Sequence, residues 1–554
     1  ANIDDLGEVV STDVLIVGGG FGGIIAAIKA KEHPVDVLVV EKATVGWAGK
    51  APHIGGSLTF LGPDDDPDKF VEYQVKSMGG YLNDQDLLYR YAHKSYGAVQ
   101  QLMTWGCRLA KDAEGKLETR KHRVGPWSQT DIDLDCQLPL RAKARKLGVK
   151  LLNKIQVVEL LTQKDRVVGA VGFSILDGKF YIFKAKATIL ANGSCDYKVE
   201  RMWSSACGDG IAAAYRAGAE MRNAEFGNFY EKRRKDTDAP ARGGGQEYLV
   251  NALGEHISRR YVPDPQPDIS MDAILGIERE ILEGRGPVYM DVSKMTKLIR
   301  NIPKVSAIKQ RQAAKAAKYG FPPSLKPEVL PAFLGELSCI KVDHDMKTSL
   351  SGLWAIGDTS YAGSAQPGAV PAPPGRTGGS GIMNAALGAF EAGPNAARFA
   401  SQSDLPTVSD NQVKRLKDDI FAPARRSNGL EPFDAIYAIQ DVVSPVKYNL
   451  RRSKERLEEA LSKIEEVQDN LSDLVAKDAH YLGKCHETNC FAVCAEMTFR
   501  AALMRTESRG WHYREDYPQQ DNKKWLKWII LKQESGKMAL STQPVPIDKY
   551  KFKP

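Results

Sequence analysis

A glycine-rich segment near the start of the chain constrains its fold more than any other feature. Gly18-x-Gly20-x-x-Gly23 follows the largely apolar residues 13–17 and opens the largely apolar residues 24–30. A second apolar run, residues 35–40, ends in Glu41, 18 residues beyond the third glycine. This order predicts a strand, a tight turn, a helix and a second strand, the unit that binds dinucleotides. The pyrophosphate is expected at the helix N-terminus, and Glu41 is expected on the ribose hydroxyls.

A distant segment favours FAD over NAD as the dinucleotide. Gly357-Asp358 ends another apolar strand more than 300 residues downstream, and Gly378-Gly-Ser-Gly381 begins a long helix of small residues. In flavoproteins with two dinucleotide folds, such an aspartate caps the ribitol. The helix N-terminus then stabilises negative charge on the reduced ring. A single NAD-binding domain does not need the distant aspartate and the helix that follows it, so we predict FAD.

Composition limits the class of protein. The chain has 554 residues, 43% of them hydrophobic and 26% charged, which is globular usage and excludes wholesale disorder. The net charge of +7 is spread over interspersed signs, so nucleic-acid binding is not indicated. Without an export signal or a stretch long enough to cross a membrane, a cytoplasmic protein with no transmembrane segment is predicted.

Composition shifts along the chain predict five segments. Residues 1–226 and 345–400 form the FAD-binding domain, residues 227–344 an inserted α+β capping domain, and residues 401–530 a helical domain. Residues 531–554, which are rich in proline, are expected to form an extended arm.

The cysteines do not indicate a metal site. The chain has eight, and Cys485, Cys490 and Cys494 lack the spacing of ferredoxin clusters. Buried reduced thiols in a helical domain are the favoured interpretation, and no metal is predicted. Any iron–sulfur relay is therefore expected on another subunit. The charged residues 505–516 are expected to form salt bridges between the helical and flavin domains.

Several segments are shared with a known family. They are Gly18–Gly23, Glu41-Lys42-Ala43, Gly169–Ser174, Lys179–Lys186, Ala191-Asn-Gly193, Gly208-Asp-Gly210, Gly352–Asp358 and Arg505–Asp516. With them the chain resembles the fumarate reductase/succinate dehydrogenase flavoproteins, and within these most of all the flavoprotein subunit of adenylylsulfate reductase, of which we infer a paralogue. The resemblance implies an α/β fold with an FAD-binding two-dinucleotide-fold (Rossmann-like) domain, an inserted capping domain and a C-terminal helical domain.

The resemblance also implies the cofactor contacts. It assigns them to Gly18, Gly20, Phe21, Gly22, Gly23, Glu41, Lys42, Gly49, Lys50, Gly56, Ser57, Val157, Ala191, Asn192, Gly193, Asp209, Gly357, Asp358, Ser380 and Gly381. Family members that tether FAD use a histidine six residues before a Gly-Gly pair. That position is Gly49 in this chain, so non-covalent FAD is predicted.

The substrate residues of fumarate reductases are only partly matched. Arg376 matches the arginine that clamps a dicarboxylate, and a guanidinium fork suits a carboxylate. Tyr230 stands where the first histidine is expected, and Glu336 lies where the second is missing. These three are the predicted catalytic residues. Three alternatives stay open: Tyr230 in the cap core, Glu336 as a solvated acid, and Arg376 as a partner of the pyrophosphate.

Two functions are consistent with these features. The first is an FAD-dependent oxidoreductase subunit of anaerobic metabolism that acts on a small anionic substrate at flavin N5. It would exchange electrons with a small ferredoxin-like iron–sulfur protein, in an assembly such as a dimer of heterodimers. The second is an electron-transfer or scaffold subunit with no organic substrate, and a fumarate reductase-like ene-reductase is a further alternative.

Overall fold

The computed structural model describes residues 2–54, 56–121, 125–199, 205–236, 239–240, 248–261, 270–291, 293, 308, 324–362 and 380–554. The strands in these residues are β1 (Glu8–Val17), β2 (Val37–Glu41), β3 (Leu58–Phe60), β4 (Arg120–Lys121), β5 (Ser128–Thr130), β6 (Lys150–Asn153), β7 (Ile155–Gln163), β8 (Arg166–Ser174), β9 (Phe180–Leu190), β10 (Met221–Arg222), β11 (Phe229–Arg234), β12 (Ala239–Pro240), β13 (Leu249–Val250), β14 (Tyr289–Met290), β15 (Val329–Gly335), β16 (Leu353–Ala355), β17 (Lys527–Glu534) and β18 (Lys537–Pro544).

Helices connect and cover these strands. The α-helices are Ile3–Leu6, Phe21–Ala30, Ala51–Ile54, Pro67–Tyr73, Gln85–Thr104, Gln137–Lys146, Asp209–Arg216, Ile257–Tyr261, Ser270–Leu282, Ser380–Ser401, Asp410–Phe421, Pro432–Val443, Val446–Asn449, Lys454–Asp469, Ala479–Met504 and Asn522–Trp525. A π-helix, Gln74–Gly79, continues Pro67–Tyr73, and a 3₁₀ turn, Gly357–Thr359, follows β16.

A central sheet of seven strands carries the fold. Its order is β6-β2-β1-β9-β8-β7, and β16 also pairs with β9. β6, β2, β1, β9 and β16 run parallel, whereas β8 and β7 are antiparallel additions. β9 changes partner along its length, because residues 180–184 pair with β8 and residues 188–190 pair with β16. The carboxyl ends of the parallel strands therefore meet at one edge, where ligands bind in open α/β sheets.

The two distant pieces of the predicted cofactor domain pack through small residues. A Cβ placed on Gly393 of the helix Ser380–Ser401 would lie 2.7 Å from the carbonyl oxygen of Ala26. A Cβ on Gly22 would lie 3.4 Å from the Cβ of Ala385. This close approach holds the helix Ser380–Ser401 against the helix Phe21–Ala30, beside the glycine turn.

The predicted capping region begins and ends with paired strands. β11 and β15 are antiparallel, with Tyr230 opposite Phe333, and β12 extends this sheet. β13 pairs with β14 between them. An apolar cluster of its own lies under these strands and the intervening helices: Leu249, Ile257, Ala273, Ile277, Val288, Met290 and Val329. The separate cluster is what an inserted domain requires, and the boundaries 227 and 344 stay a prediction.

The C-terminal region is helical up to residue 504 and contains a β-hairpin beyond it. The long helix Ala479–Met504 packs against Pro432–Val443 and Lys454–Asp469. β17 and β18 then form a hairpin whose first strand pairs with β10. The expectation of an extended arm from residue 531 is corrected here, because β17 donates its backbone hydrogen bonds to a three-stranded sheet.

Buried ion pairs join this region to Glu225, near the end of the predicted flavin-domain segment 1–226, as expected for salt bridges between the helical and flavin domains. Arg505 donates to the Glu225 carboxylate at 2.8 Å and to Glu507 at 2.9 Å, and all three side chains are fully buried. Arg505 also donates to the carbonyl oxygens of Trp525 and Lys527 at 3.0 and 2.7 Å. The network therefore fastens the end of the long helix to the hinge of the cap and to the hairpin.

Candidate active site

The glycine turn between β1 and the helix Phe21–Ala30 is packed on two sides and open on the third. A Cβ on Gly18 (φ +109°) would lie 2.2 Å from the carbonyl oxygen of Ala191, and one on Gly23 would lie 1.9 Å from that of Gly18. At Gly20 the nearest atoms are the carbonyl oxygen of Ala48 at 3.8 Å and the Cα of Gly49 at 3.9 Å. Gly20 therefore leaves space that the protein itself does not fill, as a bound pyrophosphate requires.

Glu41 is held in place at the end of β2. Its carboxylate accepts hydrogen bonds from the backbone N–H of Gly19 and of Ala43, both at 2.6 Å. These bonds fix the acid beside the glycine turn, where a ribose hydroxyl would reach it. Lys42 turns the other way and pairs with Asp209 at 2.6 Å and with Glu487 at 3.1 Å.

The loop after β9 forms the opposite wall. The amide oxygen of Asn192 is buried with no hydrogen-bond partner among the described residues. No heavy atom in the described part of the chain lies within 4 Å of a Cβ built on Gly193. The Gly193 N–H donates to the Thr359 hydroxyl at 2.8 Å, which ties this loop to the Gly357–Thr359 turn after β16. The open space at Gly20 and at Gly193, which we call the cradle, fits a bound FAD, whereas the Asn192 amide oxygen lies against Gly210.

The remaining predicted cofactor residues lie at the following places in the fold. Ala191 follows β9 directly, Gly357 and Asp358 follow β16, and Ser380 and Gly381 begin the helix Ser380–Ser401. Val157 lies on β7 where a bulge shifts the register, and the Ser57 hydroxyl is 3.5 Å from the Asp131 carboxylate. The others are Phe21 and Gly22 at the helix start and Gly56 (φ +115°) before β3.

Lys50 lies at the centre of a buried charged cluster, which we call the Lys50 cluster. Its ammonium is 2.9 Å from the Ser194 hydroxyl, 2.9 Å from the Asp196 carboxylate, 3.2 Å from Glu336 and 3.6 Å from Asp358. Burial acts to lower the pKa of Lys50, but the three carboxylates raise it above its usual value. Lys50 is therefore a charged lysine that joins the ends of three segments at the cofactor edge of the sheet.

Asp196 was missed by sequence reasoning. Burial raises its pKa to about 7, the neighbouring Glu336 adds to the rise, and Lys50 opposes it. The signal that could have found it is its position, six residues beyond the end of β9 in the same loop as Asn192 and Gly193.

The three predicted catalytic residues are placed differently. Glu336 is buried at φ +60°, with its carboxylate on Lys50 and its backbone N–H donating to Asp196 at 2.9 Å. Tyr230 is buried, packs its ring against Phe333, and donates its hydroxyl to the Ser444 carbonyl at 2.9 Å. Burial raises the pKa of Tyr230 well above its usual value. Arg376 lies outside the described residues.

The cysteine-rich segment belongs to the long helix. Cys485, Cys490 and Cys494 all lie in Ala479–Met504 as buried free thiols. Burial raises the pKa of Cys485 to about 12, which is the behaviour of unreactive packed thiols.

Comparison with known proteins identifies the family. Residues 13–370 match the family model described as an FAD binding domain, and residues 443–554 match the fumarate reductase flavoprotein C-terminal model. The first match spans more than half of the chain. The chain belongs to the fumarate reductase/succinate dehydrogenase flavoprotein family. The predicted family and fold class are thereby confirmed, and the protein is an FAD-dependent oxidoreductase.

Relatives and solved structures agree with this assignment. The chain is 27% identical to one of the subunits of the fumarate reductase (CoM/CoB) of Methanothermobacter marburgensis, over 95% of this chain and 97% of the relative. It superposes on an E. coli quinol fumarate reductase with a TM-score of 0.82 at 19% identity, covering 98% of both chains. Adenylylsulfate reductase from Archaeoglobus fulgidus gives 0.78 at 24% identity, covering 98% of this chain and 97% of that one. At these identities the two structures establish the fold alone.

Within the described residues, no helix has both the length and the apolar character that spanning a membrane demands.

We expect acid precipitation to release the FAD of this flavoprotein into solution. Gly49, at the position of the tethering histidine, has no side chain to form a bond, and its Cα lies in the open cradle beside Gly20. The measurement is the flavin absorbance of the supernatant and of the washed pellet after trichloroacetic acid. Flavin that stays with the peptide would show a covalent linkage at another residue.

Proposed function

We propose that this flavoprotein is a catalytic subunit that carries out two-electron chemistry on a small anionic substrate and exchanges electrons with a ferredoxin-like iron–sulfur protein. When bound, FAD supplies the two-electron step at N5. The chain's own residues bind the substrate, orient it and move its proton.

The observation that carries this proposal is the position of Glu336. It follows the strand β15 that closes the cap, yet its carboxylate reaches Lys50 on the cofactor side at 3.2 Å. It is only 2% exposed, and its φ of +60° is a conformation that non-glycine residues rarely adopt. A buried acid held in a strained backbone, between cap and cofactor edge, has the placement that a general acid needs.

Arg376 and Tyr230 complete the proposed site. Arg376 lies four residues before Ser380, which begins the helix at the cofactor edge, so a guanidinium there would grip an anionic group. Tyr230 lies at the start of the cap on β11. Because its hydroxyl already donates a hydrogen bond to the Ser444 carbonyl oxygen, we assign it to the lining of the site and not to proton transfer. In this arrangement Glu336 handles the proton.

The electron-transfer or scaffold function is the second candidate. The full burial of Tyr230 favours it, because a tyrosine that is committed to a backbone carbonyl offers nothing to a substrate. An iron–sulfur partner is part of both proposals, and the absence of ferredoxin-like cysteine spacing in the sequence supports a cluster on a separate chain.

We expect Glu336→Gln to lower kcat/KM by about 100-fold or more, since general acid–base groups contribute 10²–10⁴-fold. FAD content should stay at one per chain. The assay couples a reduced low-potential one-electron dye to a panel of small carboxylates and oxyanions. Glu328→Gln is the matched control, because Glu328 lies just before β15 and pairs at the surface with Lys235.

Two outcomes would contradict this proposal. If no panel compound reoxidises the native protein, while the dye exchanges electrons freely, the relay function is favoured. Rapid hydride uptake from NADH would instead show a nicotinamide site and remove the need for an iron–sulfur partner.

A further inference from the structure

A short stretch of the chain beside the cofactor cradle carries only positive charge. Residues 137–150 form the helix Gln137–Lys146 and the start of β6, and they include no Asp or Glu. They contain five cations: Arg141, Lys143, Arg145, Lys146 and Lys150. No carboxylate of the described residues lies within 4.0 Å of any of the five. The acids just before the helix, Asp133 and Asp135, pair with Arg108 instead.

The helix Gln137–Lys146 is held against the loop that follows β2. The side-chain amide of Gln137 donates to the carbonyl oxygen of Ala48 at 2.9 Å, and the guanidinium of Arg141 donates to that of Val45 at 3.3 Å. A Cβ built on Gly46 would lie 3.0 Å from the Cδ of Arg141. The basic helix and residues 45–48 of the loop therefore form one continuous surface.

Trp47 lies on this loop between the two points of attachment, and it is 56% exposed. Leu147, directly after the last residue of the basic helix, is also exposed, at 37%. Tryptophan and arginine are the residue types that most often dominate the binding energy of protein interfaces. We call Trp47, Arg141, Arg145, Lys146 and Leu147 the Trp47 surface.

The loop that carries Trp47 is also a wall of the cradle. The carbonyl oxygen of Ala48 and the Cα of Gly49 are the atoms nearest to a Cβ built on Gly20, at 3.8 and 3.9 Å. Trp47 is therefore one residue away in the chain from an atom that lines the predicted pyrophosphate site. A protein that covers Trp47 comes to lie beside the cofactor, where an electron donor has to dock.

We propose that the Trp47 surface is the docking site of the iron–sulfur protein, and that the docking face of that protein is acidic. Carboxylates around its cluster would pair with Arg141, Arg145 and Lys146, and an apolar group would cover Trp47. Opposite charges steer two proteins together and fix their orientation, and a covered aromatic ring adds binding energy. The donor releases one electron at a time, so two transfers reduce the bound FAD, whose protons come from solvent. This inference rests on the proposed function, which supplies the need for such a partner.

An acidic protein is favoured over other polyanions. A nucleic acid or an anionic membrane would also be attracted by the basic helix. Neither of them supplies electrons, however, and neither gives a reason for the Trp47 surface to adjoin the cradle. Both are included as outcomes of the test.

The test is the reduction of FAD in the holoenzyme by a reduced, acidic bacterial ferredoxin, followed by stopped-flow absorbance at several ferredoxin concentrations. Arg145→Glu/Lys146→Glu should lower the second-order rate constant at low salt by about tenfold or more, because electrostatic steering raises association rates by about 10- to 1,000-fold. Between about 0.01 M and about 1 M salt, the native rate constant should fall steeply and that of the variant should fall less. Trp47→Ala should weaken ferredoxin binding by about tenfold or more and keep the native salt dependence.

Lys532→Glu/Lys549→Glu is the matched control. It makes the same change in net charge at two exposed lysines of the C-terminal region, neither of which forms an ion pair within the described part of the chain. This control should keep the native rate constant. Photoreduction with deazaflavin should be native in all variants, which shows that FAD is bound and can be reduced.

Three results would contradict the inference, each in a different way. Unchanged rate constants in both Trp47-surface variants would keep the iron–sulfur partner and reject this docking site. If the ferredoxin does not reduce native FAD although deazaflavin does, the iron–sulfur partner is rejected and the docking site with it. If an oligonucleotide or phosphatidylserine vesicles bind the native protein but not Arg145→Glu/Lys146→Glu, and ferredoxin rates are unchanged, the surface belongs to that polyanion. The substrate part of the proposed function is tested separately by Glu336→Gln, because ferredoxin reduces FAD without a substrate.

Discussion

Gly20→Val should give a folded but colourless protein. The site at Gly20 is open, since a Cβ there meets no atom of the described residues closer than 3.8 Å, and its φ of −75° is accessible to valine. The added methyl groups therefore fill the space of the pyrophosphate without a clash in the chain. We expect FAD affinity to fall by at least two orders of magnitude, which corresponds to about 2.8 kcal/mol.

The measurement is the flavin content after gel filtration, together with the far-ultraviolet circular dichroism. Gly97→Val is the matched control, because a Cβ on Gly97 meets no described atom within 4 Å and Gly97 lies in the helix Gln85–Thr104, not in the glycine turn. Gly18→Val should misfold instead, since its Cβ would overlap the carbonyl of Ala191. A yellow Gly20→Val protein would place the pyrophosphate elsewhere.

Arg505→Ala should destabilise the protein by about 3–5 kcal/mol, the usual effect of removing one partner from a buried ion pair. The Glu225 carboxylate would lose its 2.8 Å ion pair inside the protein, and two backbone carbonyls would lose their donor. The measurement is the apparent midpoint of urea unfolding, followed both by FAD release and by circular dichroism.

Arg500→Ala is the control for this substitution. Arg500 lies near the end of the long helix, five residues before Arg505, and pairs with Glu496 and Glu465, but its side chain is 33% exposed. Exposed pairs contribute at most about 1 kcal/mol. Equal losses in the two variants would mean that the buried network does not stabilise the junction between the long helix and the cap hinge.

The sequence predicted best where one local motif defines the structure. The Gly18–Gly23 turn predicts the strand before it and the helix after it. The steric role of each glycine in such a turn is known from the motif itself and does not depend on the rest of the fold. Asp177-Gly178 is likewise a favoured turn pair, and it lies in the loop that joins the antiparallel strands β8 and β9.

The tail was predicted less well, although a signal was present. Residues 528–531 are a short apolar run, which periodicity alone cannot assign to helix or strand. Ser535 and Gly536 both have positive φ, as a tight hairpin turn requires, and they join β17 to β18. The prolines at 544 and 546 lie at the end of the hairpin and do not disrupt it.

The residues proposed to act in catalysis are the hardest to locate from the sequence, for geometric reasons. Side chains alternate between faces along a strand, so an alignment error of one residue moves Tyr230 from one side of β11 to the other. The Lys50 cluster depends on loops from separate elements that meet only in the folded chain, so no local spacing predicts that Asp196 lies beside Lys50 and Glu336. Local motifs therefore predict the cofactor-binding turn, whereas the buried acids are located only by tertiary packing.

The divided edge of β9 has a consequence for the order in which the chain assembles. Its first half finds its partner β8 only a few residues away, so this hairpin forms early through a short loop. Its second half can pair with β16 only after the cap has been synthesised, because β16 follows the cap in the sequence. Closing such a distant contact is slow, because its loop entropy must be overcome before the contact forms. The predicted FAD site is therefore incomplete until β16 has been synthesised and has paired with β9. We expect FAD to bind only in the last stage of folding.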